Sequence, residues 1–348
     1  RRTGKKEVIA QIASSLHSNN SKQRTLVVTK SEETLNTVMD RIVDLGISPS
    51  YVLNLGASHS SNKYDLHQIG RVNYLLQLRL EVLKQFEHLA STLNLAHLNA
   101  GASCQSAIRF FKSHVIPRWN TFKRGYATST DVEYVKQQFP FTAFFNVNFE
   151  GKDRETDIQA ALELFQYLFT IYECLPECQA FEVIRSHQER IKYLIERHSK
   201  IIGITIEELT KRHKELLFDN KLKYENIIVG DADLLTDIEA TIPSLLPSTQ
   251  QQSLKRIVLV GDSMRTRTTT PFESYSHLNQ SLFKRLMRLG ALAQCTVQLD
   301  VQFDTNPDIT ALLSHKFAPN IRNFNPDAQW INPGIKYPTQ IIHVGPYN

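Results

Sequence analysis

The sequence predicts an α/β fold in which helices cover both faces of a mostly parallel sheet. Short apolar runs of strand length alternate with helical patterns, and this alternation is typical of a doubly wound sheet. The runs are apolar along most of their length, as are strands that are buried on both faces. Residues 65–198 differ, because their apolar residues recur at helical spacing. They predict a large, mostly helical insertion that interrupts the sheet.

The predicted elements follow in chain order. The predicted strands are Thr25–Thr29, Ile201–Thr205, Asn226–Val229, 257–260 and 296–301. Helices are predicted at 7–15, 32–45, 237–246 and 278–289, and within the insertion at 72–93, 158–172 and 181–198. The Asn- and Pro-rich residues 320–334 predict a loop, and residues 340–344 predict a final strand.

The composition indicates a globular protein without a membrane-spanning helix. Of the 348 residues, 41% are hydrophobic and 22% are charged, which is typical of a globular protein with a sizeable core. No apolar run approaches the roughly 18 residues of a membrane helix, so we expect no membrane partner. The net charge of +5 fits nucleic acid or acidic partners without requiring them. The chain begins without methionine and inside a motif, so we expect part of a longer protein and no signal peptide.

The four cysteines do not form a metal-binding pattern. Cys104 and Cys295 are isolated, and Cys174 and Cys178 lie four residues apart on a predicted helix, without a second pair. Zinc sites use closely spaced pairs of ligands, so we expect no metal here. The spacing favours buried thiols in a reducing compartment.

The first candidate binding site lies at the start of the first predicted helix. Thr3, Gly4, Lys5 and Lys6 match the end of the phosphate-loop pattern G-x-x-x-x-G-K-[S/T]. In that pattern backbone N–H groups wrap the phosphates, the lysine reaches the β- and γ-phosphates, and the hydroxyl ligates Mg²⁺. Gly4 and Lys5 fit, whereas Lys6 replaces the hydroxyl with a cation that repels the metal. Taken alone, a basic helix N-terminus without a ligand is the simpler explanation.

Two features of the insertion have alternative interpretations. The aromatic cluster at 139–141 and 144–145 favours packing against the core over a surface that docks a partner. Arg118, Lys123 and Arg124 favour an exposed basic face over an RNA groove.

Seven segments share their order and spacing with a known family. They are 24–35 (RTLVVTKSEETL), 70–74 (GRVNY), 211–213 (KRH), 224–229 (YENIIV), 238–243 (IEATIP), 260–262 (VGD) and 280–283 (QSLF). Together they resemble the Aquarius family, the intron-binding superfamily 1 RNA helicases of the spliceosome. The similarity covers nearly the whole chain and weakens after residue 304.

The resemblance implies a RecA-like, P-loop NTPase core with the helical insertion as a family feature. Residues 1–64 and 199–301 would form the first RecA-like domain, 65–198 the insertion, and 302–348 the start of a second RecA-like domain or its linker. The resemblance also implies work in pre-mRNA splicing in the nucleus. The partners would be spliceosomal proteins and intron RNA.

The chain departs from the family pattern where phosphate and metal are bound. Active relatives carry Gly-Thr-Gly-Lys-Thr, but here Arg2 replaces the first glycine and Lys6 the last threonine. After strand Asn226–Val229, the acid that holds Mg²⁺ maps to Gly230, which offers no ligand. The water-activating glutamate maps to Asp231, which is one methylene shorter.

Two further motifs of the family are altered. Gly261 and Asp262 are retained, but Arg265 replaces the glutamine that senses the γ-phosphate. Asp304 stands where the family places an arginine finger, a residue that contributes roughly 10³–10⁵ in rate. An acid there reverses the charge that would stabilise the transition state.

Four damaged motifs predict a pseudo-enzyme, because phosphoryl transfer depends on positioning and on neutralising charge. We expect no cofactor; ATP and Mg²⁺ would bind only if the degenerate site still accepts them. The cations Arg2, Lys5, Lys6, Arg265 and Arg267 either form a pocket for a phosphate without Mg²⁺ or, as we favour, face protein neighbours. The alternative function is an active ATP-dependent RNA helicase that takes metal ligands from elsewhere. A third, an unrelated P-loop enzyme, is disfavoured by residues 280–283.

Single-stranded RNA would be contacted by the loops that follow the strands, mainly through its backbone. Thr29, Lys30 and Ser31 follow one strand and Thr205 ends another, and the three hydroxyl residues match the family. Lys30 is predicted either to contact a phosphate or to be solvated. Residues 206–208 (IEE) are apolar or acidic and would weaken contact with phosphate.

Overall fold

Five described strands form a parallel sheet in the order β2-β3-β1-β4-β5. They are β1 Thr25–Thr29, β2 Val52–Asn54, β3 Ile201–Thr205, β4 Asn226–Val229 and β5 Arg256–Leu259. β1 is central, with its Thr25 opposite Ile201 of β3 and Asn226 of β4. All residues of β1, β3 and β4 are buried, as expected for strands covered on both faces. The predicted α/β, RecA-like core with a parallel sheet is therefore confirmed.

The computed structural model describes residues 3–56, 63–129, 131, 133–149, 154–216, 222–249, 254–262, 281–289, 294–303, 310, 311, 314 and 321–324. The chain divides into two compact units, Arg1–His67 with Ser199–Asn348, and Gln68–His198. The first unit contains the sheet, and the second is a helical insertion in the sequence of the first. No described helix is both long enough and apolar enough to cross a membrane.

Five described helices belong to the first unit. They are α1 Lys5–Asn19 and α2 Glu32–Asp44 before the insertion, and α10 Ile206–Lys211, α11 Asp237–Thr249 and α12 Leu282–Arg288 after it. The first four contact the sheet, and α12 packs on α11. Ser31 starts α2, because its hydroxyl accepts the N–H of Thr34 at 3.3 Å. Gly203 of β3 lets α2 lie close to the sheet, since a Cβ there would be 2.7 Å from Sδ of Met39.

The second unit has an aromatic core of its own. Its helices are α3 Gln68–Thr92, α4 Cys104–Phe110, α5 Ile116–Thr128, α6 Tyr134–Gln138, α7 Thr142–Phe145, α8 Arg154–Val183 and α9 His187–Tyr193. A π-helical turn, Phe111–Val115, joins α4 to α5. Trp119 stacks on Phe165 with 4.1 Å between ring centroids. Phe139 and Phe141 are buried in this core, which confirms the packing interpretation for these two rings.

The predicted helix at 181–198 is interrupted. α8 ends at Val183, and α9 begins at His187. Nε of Arg190 in α9 donates to the carbonyl oxygens of Phe181 at 3.2 Å and Ile184 at 2.7 Å. These bonds satisfy carbonyls that have no partner at the end of a helix, so α8 can end there.

The predicted strand at 296–301 is wrong for most of its length. Only its last residue belongs to a strand, β6 Val301–Gln302, which pairs in parallel with β7 Arg322–Asn323. Val297 is exposed, so this apolar run is not buried in the sheet. β7 lies inside the predicted loop at 320–334, and residues 340–344 lie outside the described residues. The second RecA-like domain at 302–348 stays a prediction.

Candidate nucleotide and RNA site

The carboxyl ends of the parallel strands bring the predicted site residues to one edge of the sheet. Thr29 lies opposite Thr205 in the register of β1 and β3. Gly230 follows β4, and its N–H donates to the carbonyl oxygen of Val28 at 2.8 Å. Asp262 lies three residues beyond β5. Ligands of open α/β sheets bind at such an edge, so this edge is the candidate site.

Residues 3–6 form the turn that starts α1. Gly4 is the N-cap residue, and its φ of +74° is a left-handed conformation that favours glycine. No side chain caps this helix start. The N–H groups of a first helical turn suit an anion, so the backbone at Gly4 is compatible with the phosphate-loop pattern. Thr3 is buried, and Lys5 is half-buried.

Lys6 is directed towards the neighbouring helix. Its Nζ donates to Oγ1 of Thr37 in α2 at 3.4 Å. One residue further, Oε1 of Glu7 pairs with Nη1 of Arg41 in α2 at 2.5 Å. The side chain at the position of the Mg²⁺-binding hydroxyl therefore helps to join α1 to α2.

Gly230 lies close to two apolar side-chain atoms, so a side chain here would require Ile9 or Thr29 to shift. A Cβ on Gly230 would lie 3.0 Å from Cδ1 of Ile9 and 3.3 Å from Cγ2 of Thr29. Ile9 belongs to the core beneath the sheet and is 2% exposed. Mg²⁺ prefers oxygen ligands, and neither Gly230 nor Lys6 has a side-chain oxygen. The residues at these two positions do not fit the metal site of the family pattern.

The loop after β4 is tied to neighbouring segments. Asp233 is 1% exposed, and its Oδ1 accepts the N–H of Asp262 at 2.9 Å. Ser281 donates its hydroxyl to the carbonyl oxygen of Ala232 at 3.0 Å. Asp231 has a φ of +52°, so this loop turns through a left-handed residue that is not glycine. Sequence reasoning missed Asp233, because its spacing carries no signal of a bond to Asp262.

Some predicted site residues lie outside the described residues. They are Arg2, Arg265, Arg267 and Asp304. The proposed replacement of the γ-phosphate sensor by Arg265 and of the arginine finger by Asp304 stays a prediction.

The hydroxyl groups predicted to contact RNA already have partners. Oγ1 of Thr29 donates to the carbonyl oxygen of Ser31 at 3.0 Å, and Thr29 is buried. The hydroxyl of Ser31 caps α2. Thr205 is also buried, and its Oγ1 accepts the N–H of Glu208 at 3.3 Å, which caps α10. Ser31 and Thr205 therefore stabilise the starts of helices, and Thr29 is bonded within the turn between β1 and α2.

Lys30 is paired with a carboxylate. Its Nζ donates to Oε1 of Glu239 in α11 at 2.8 Å. Oε2 of Glu239 accepts the N–H of Thr236 at 2.9 Å. Burial raises the pKa of the Glu239 carboxyl, but the bonds from Lys30 and Thr236 outweigh burial and hold that pKa below its usual value. The charge of Lys30 is therefore neutralised within the protein.

The residues that follow Thr205 are apolar or paired. Ile206 is buried, and Oε1 of Glu207 accepts a bond from Nζ of Lys211 at 2.7 Å. This bond lowers the pKa of Glu207 and raises that of Lys211. Both groups are thus charged at neutral pH, and they neutralise each other at this part of the edge.

The cysteines differ in burial. Cys104 and Cys178 are buried, and burial raises the pKa of each thiol to about 12. They are therefore protonated and unreactive at neutral pH. Cys174 is half-buried, but Cys295 is exposed, so the expectation of a buried thiol is wrong there. Groups of three or more acidic, His or Cys side chains arranged to hold a metal are absent from the described parts of the chain.

Two known proteins match the chain along nearly its whole length. The RNA helicase aquarius of Mus musculus is 32% identical over 367 aligned positions, which cover 98% of this chain and 24% of that protein. The pre-mRNA-splicing factor cwf11 of Schizosaccharomyces pombe is 23% identical over 356 positions, which cover 99% of this chain and 27% of that protein. The chain spans about a quarter of the length of these relatives. No protein-family model matches it.

Proposed function

Because the chain belongs to the Aquarius family, we propose that it acts in pre-mRNA splicing as a helicase-like subunit that does not hydrolyse ATP. It works in the nucleus, where its fold supports contacts among spliceosomal proteins and with intron RNA. The observation that carries the proposal is that neither Gly230 nor Lys6 has a side-chain oxygen for Mg²⁺, while Ile9 packs where a side chain of residue 230 would begin.

The chemistry of phosphoryl transfer supports the loss of hydrolysis. In the P-loop pattern a hydroxyl and an acid hold Mg²⁺, which neutralises the charge that develops on the phosphates. The two positions here are Lys6 and Gly230. The ammonium of Lys6 is bonded to Thr37, so this lysine adds a cation near the metal position and supplies no ligand. A nucleotide without its metal lacks the main source of charge neutralisation.

A structural role is supported by what the chain retains. The sheet is continuous across five strands, and both units have well-buried cores. Hydroxyl groups at the carboxyl edge, such as those of Ser31 and Thr205, cap helices. A fold that keeps its packing while its metal ligands are missing is suited to holding partners in place.

The alternative function is an active ATP-dependent RNA helicase. The left-handed Gly4 before α1, followed by Lys5, favours it, because this backbone suits a phosphate group. The alternative requires metal ligands from elsewhere in the longer protein.

ATP hydrolysis by the full-length protein distinguishes the two functions. We expect no hydrolysis above background with Mg²⁺, with or without single-stranded RNA, and no change in Lys5→Ala. RNA-stimulated hydrolysis that disappears in Lys5→Ala would establish the active helicase. Lys22→Ala is the control, because Lys22 is an exposed lysine of the loop between α1 and β1.

The splicing role is tested separately in cells. The tagged full-length protein should be nuclear and should co-purify with spliceosomal proteins and unspliced transcripts. Lys5→Ala should co-purify with the same components, because assembly does not depend on nucleotide. Loss of co-purification in Lys5→Ala would argue for the active helicase.

A further inference from the structure

We infer that Phe303 of the chain covers the turn at Gly4 and thereby keeps phosphate groups out of the loop at residues 3–6. The inference rests on the proposed loss of ATP hydrolysis and deepens it. The site would be closed by a side chain in addition to lacking ligands for the metal.

The ring of Phe303 lies beside Gly4. A Cβ on Gly4 would lie 3.8 Å from Cε2 and 4.0 Å from Cδ2 of Phe303. A side chain at residue 4 would therefore touch the ring, and the ring borders the space beside this turn. In a phosphate loop, glycine allows the backbone N–H groups to approach the phosphates closely. A phenyl ring in this place offers an anion no strong hydrogen-bond donor.

A pair of strands holds the ring in this position. Phe303 directly follows β6, and Phe324 directly follows β7. The N–H of Phe324 donates to the carbonyl oxygen of Gln302 at 2.9 Å, and Gln302 is 3% exposed. The rings of Phe303 and Phe324 are 5.1 Å apart between centroids. The backbone that carries Phe303 is therefore paired and anchored beside a second ring.

Protein groups also occupy the metal side of the same site. Ile9 fills the space at Gly230, and Lys6 extends to Thr37 of α2. With Phe303 beside Gly4, protein side chains border both the turn at residues 3–6 and the space at Gly230. Replacing the missing ligands would not by itself reopen the site.

The exposure of the two rings suggests another role, which the experiment separates. Phe303 is 50% exposed and Phe324 is 70% exposed, so the pair could stack on an RNA base. Phe303, and not Phe324, supplies the ring atoms nearest to Gly4. A stacking role would involve Phe324 at least as much as Phe303, whereas covering the loop involves Phe303.

The test uses inorganic pyrophosphate as the probe, without Mg²⁺, and the full-length protein in isothermal titration calorimetry. We expect Phe303→Ala to bind pyrophosphate roughly tenfold or more tightly than the wild type. Phe303→Leu, which keeps an apolar group over Gly4, and Phe324→Ala should bind as the wild type does. Adding Lys5→Ala to Phe303→Ala should abolish the gain, which would assign the binding to residues 3–6.

Two outcomes of the titration would overturn the inference. One is a Phe303→Ala variant that is folded by circular dichroism but binds pyrophosphate no better than the wild type. The other is an equal gain in Phe324→Ala. Hydrogen exchange of the wild type gives a measurement that needs no variant: millimolar pyrophosphate should leave exchange at residues 3–16 unchanged, and protection there contradicts a covered loop. ATP hydrolysis by the wild type would overturn the proposed function instead, so the two failures are distinct.

Discussion

The backbone of Gly230 lies next to Ile9 of α1 and Thr29 of β1, so that even a Cβ at residue 230 would be in tight contact with both. Its φ lies outside the left-handed region, so space, and not backbone conformation, is what restricts this position. Ile9 packs where the side chain of an acid at residue 230 would begin, so the two side chains compete for the same space. Restoring the acid alone should therefore disturb the core before it creates a metal ligand.

We predict that Gly230→Asp lowers the free energy of unfolding by about 1–3 kcal/mol, because it overpacks a close-packed region. Urea denaturation measures the change. Ile9→Val removes only Cδ1, the atom nearest to the new Cβ. Ile9→Val alone should lower the free energy of unfolding by about 0.5–1.5 kcal/mol. Combined with Gly230→Asp, it should recover part of the stability that Gly230→Asp loses. A Gly230→Asp protein as stable as the wild type would show that the space is not filled.

Asp231 presents a different constraint, because its φ of +52° is left-handed. Left-handed backbone costs most L-residues roughly 1–2 kcal/mol, less for Asp and Asn, and nothing of this kind for Gly. We predict that Asp231→Ala lowers the free energy of unfolding by about 1 kcal/mol, while Asp231→Gly leaves it unchanged or raises it. Equal midpoints for the Ala and Gly variants in urea denaturation would contradict the left-handed conformation.

At the scale of elements, Lys30 and Glu239 connect the loop after β1 to the start of α11. The N–H of Glu239 donates to Oγ1 of Thr236 at 3.1 Å, while its Oε2 accepts the N–H of Thr236. This reciprocal arrangement is a capping box, which stabilises the first turn of a helix. The bond from Lys30 adds a link across the carboxyl edge of the sheet.

This connection makes stability depend on pH. The pKa of Glu239 is lower in the folded protein than its usual value, so its carboxylate stabilises the fold above the unfolded pKa of about 4.3. That contribution is lost as the pH falls through the folded pKa. We predict that Glu239→Gln removes this part of the pH dependence and about 0.5–1 kcal/mol of stability at pH 7, because the pair is partly exposed. Glu33→Gln, at an exposed position of α2, is the control in urea denaturation at several pH values.

The Lys30–Glu239 pair also predicts how substitutions at the carboxyl edge of the sheet change the affinity for RNA. Since the ammonium of Lys30 is bonded to Glu239, Lys30→Ala should change the affinity for single-stranded RNA less than about twofold. Glu239→Gln leaves the cation of Lys30 without its counter-charge and should increase the affinity and its dependence on salt. Fluorescence anisotropy with labelled RNA measures both. A large loss of affinity in Lys30→Ala, with no gain in Glu239→Gln, would show that Lys30 leaves Glu239 to bind phosphate.

Local sequence identifies three of the buried strands, although it missed β2, which has only three residues. The apolar runs of β1, β3 and β4 match the observed strands to the residue, because strands covered on both faces must be apolar throughout. Residues 296–301 (TVQLDV) alternate apolar and polar side chains, but only Val301 pairs with a neighbouring strand. A strand requires a partner, and that partner, β7, lies about twenty residues further along the chain.

The candidate site was predictable in position but not in its contacts. The spacing of residues 3–6 and of Gly230 places both beside the sheet edge once the strands are known. The position of Ile9 beside Gly230 depends on how α1 packs against the sheet. Lys30 pairs with Glu239, which lies 209 positions further along the chain. Contacts that are made by docking of distant segments leave no local pattern in the sequence.

At the scale of the whole molecule, each of the two units has its own buried core. In the insertion, Trp119 is 5% exposed and lies between Phe165 and Phe122, with centroid distances of 4.1 Å and 5.3 Å. Aromatic rings of this size bury a large apolar area and dominate the energetics of a core. All residues of this core lie within 68–198.

We therefore predict that the fragment 68–198 folds alone as a helical domain with a cooperative thermal transition, measured by circular dichroism at far-UV wavelengths. Trp119→Ala should lower its free energy of unfolding by about 3–5 kcal/mol, whereas Trp119→Phe keeps a ring against Phe165 and should lower it by less. In the full chain, Trp119→Ala should shift the transition of the insertion and leave that of the sheet unit in place, because the two cores are separate. A fragment without cooperative unfolding, or a full chain in which Trp119→Ala shifts both units together, would show that the insertion depends on the sheet for its stability.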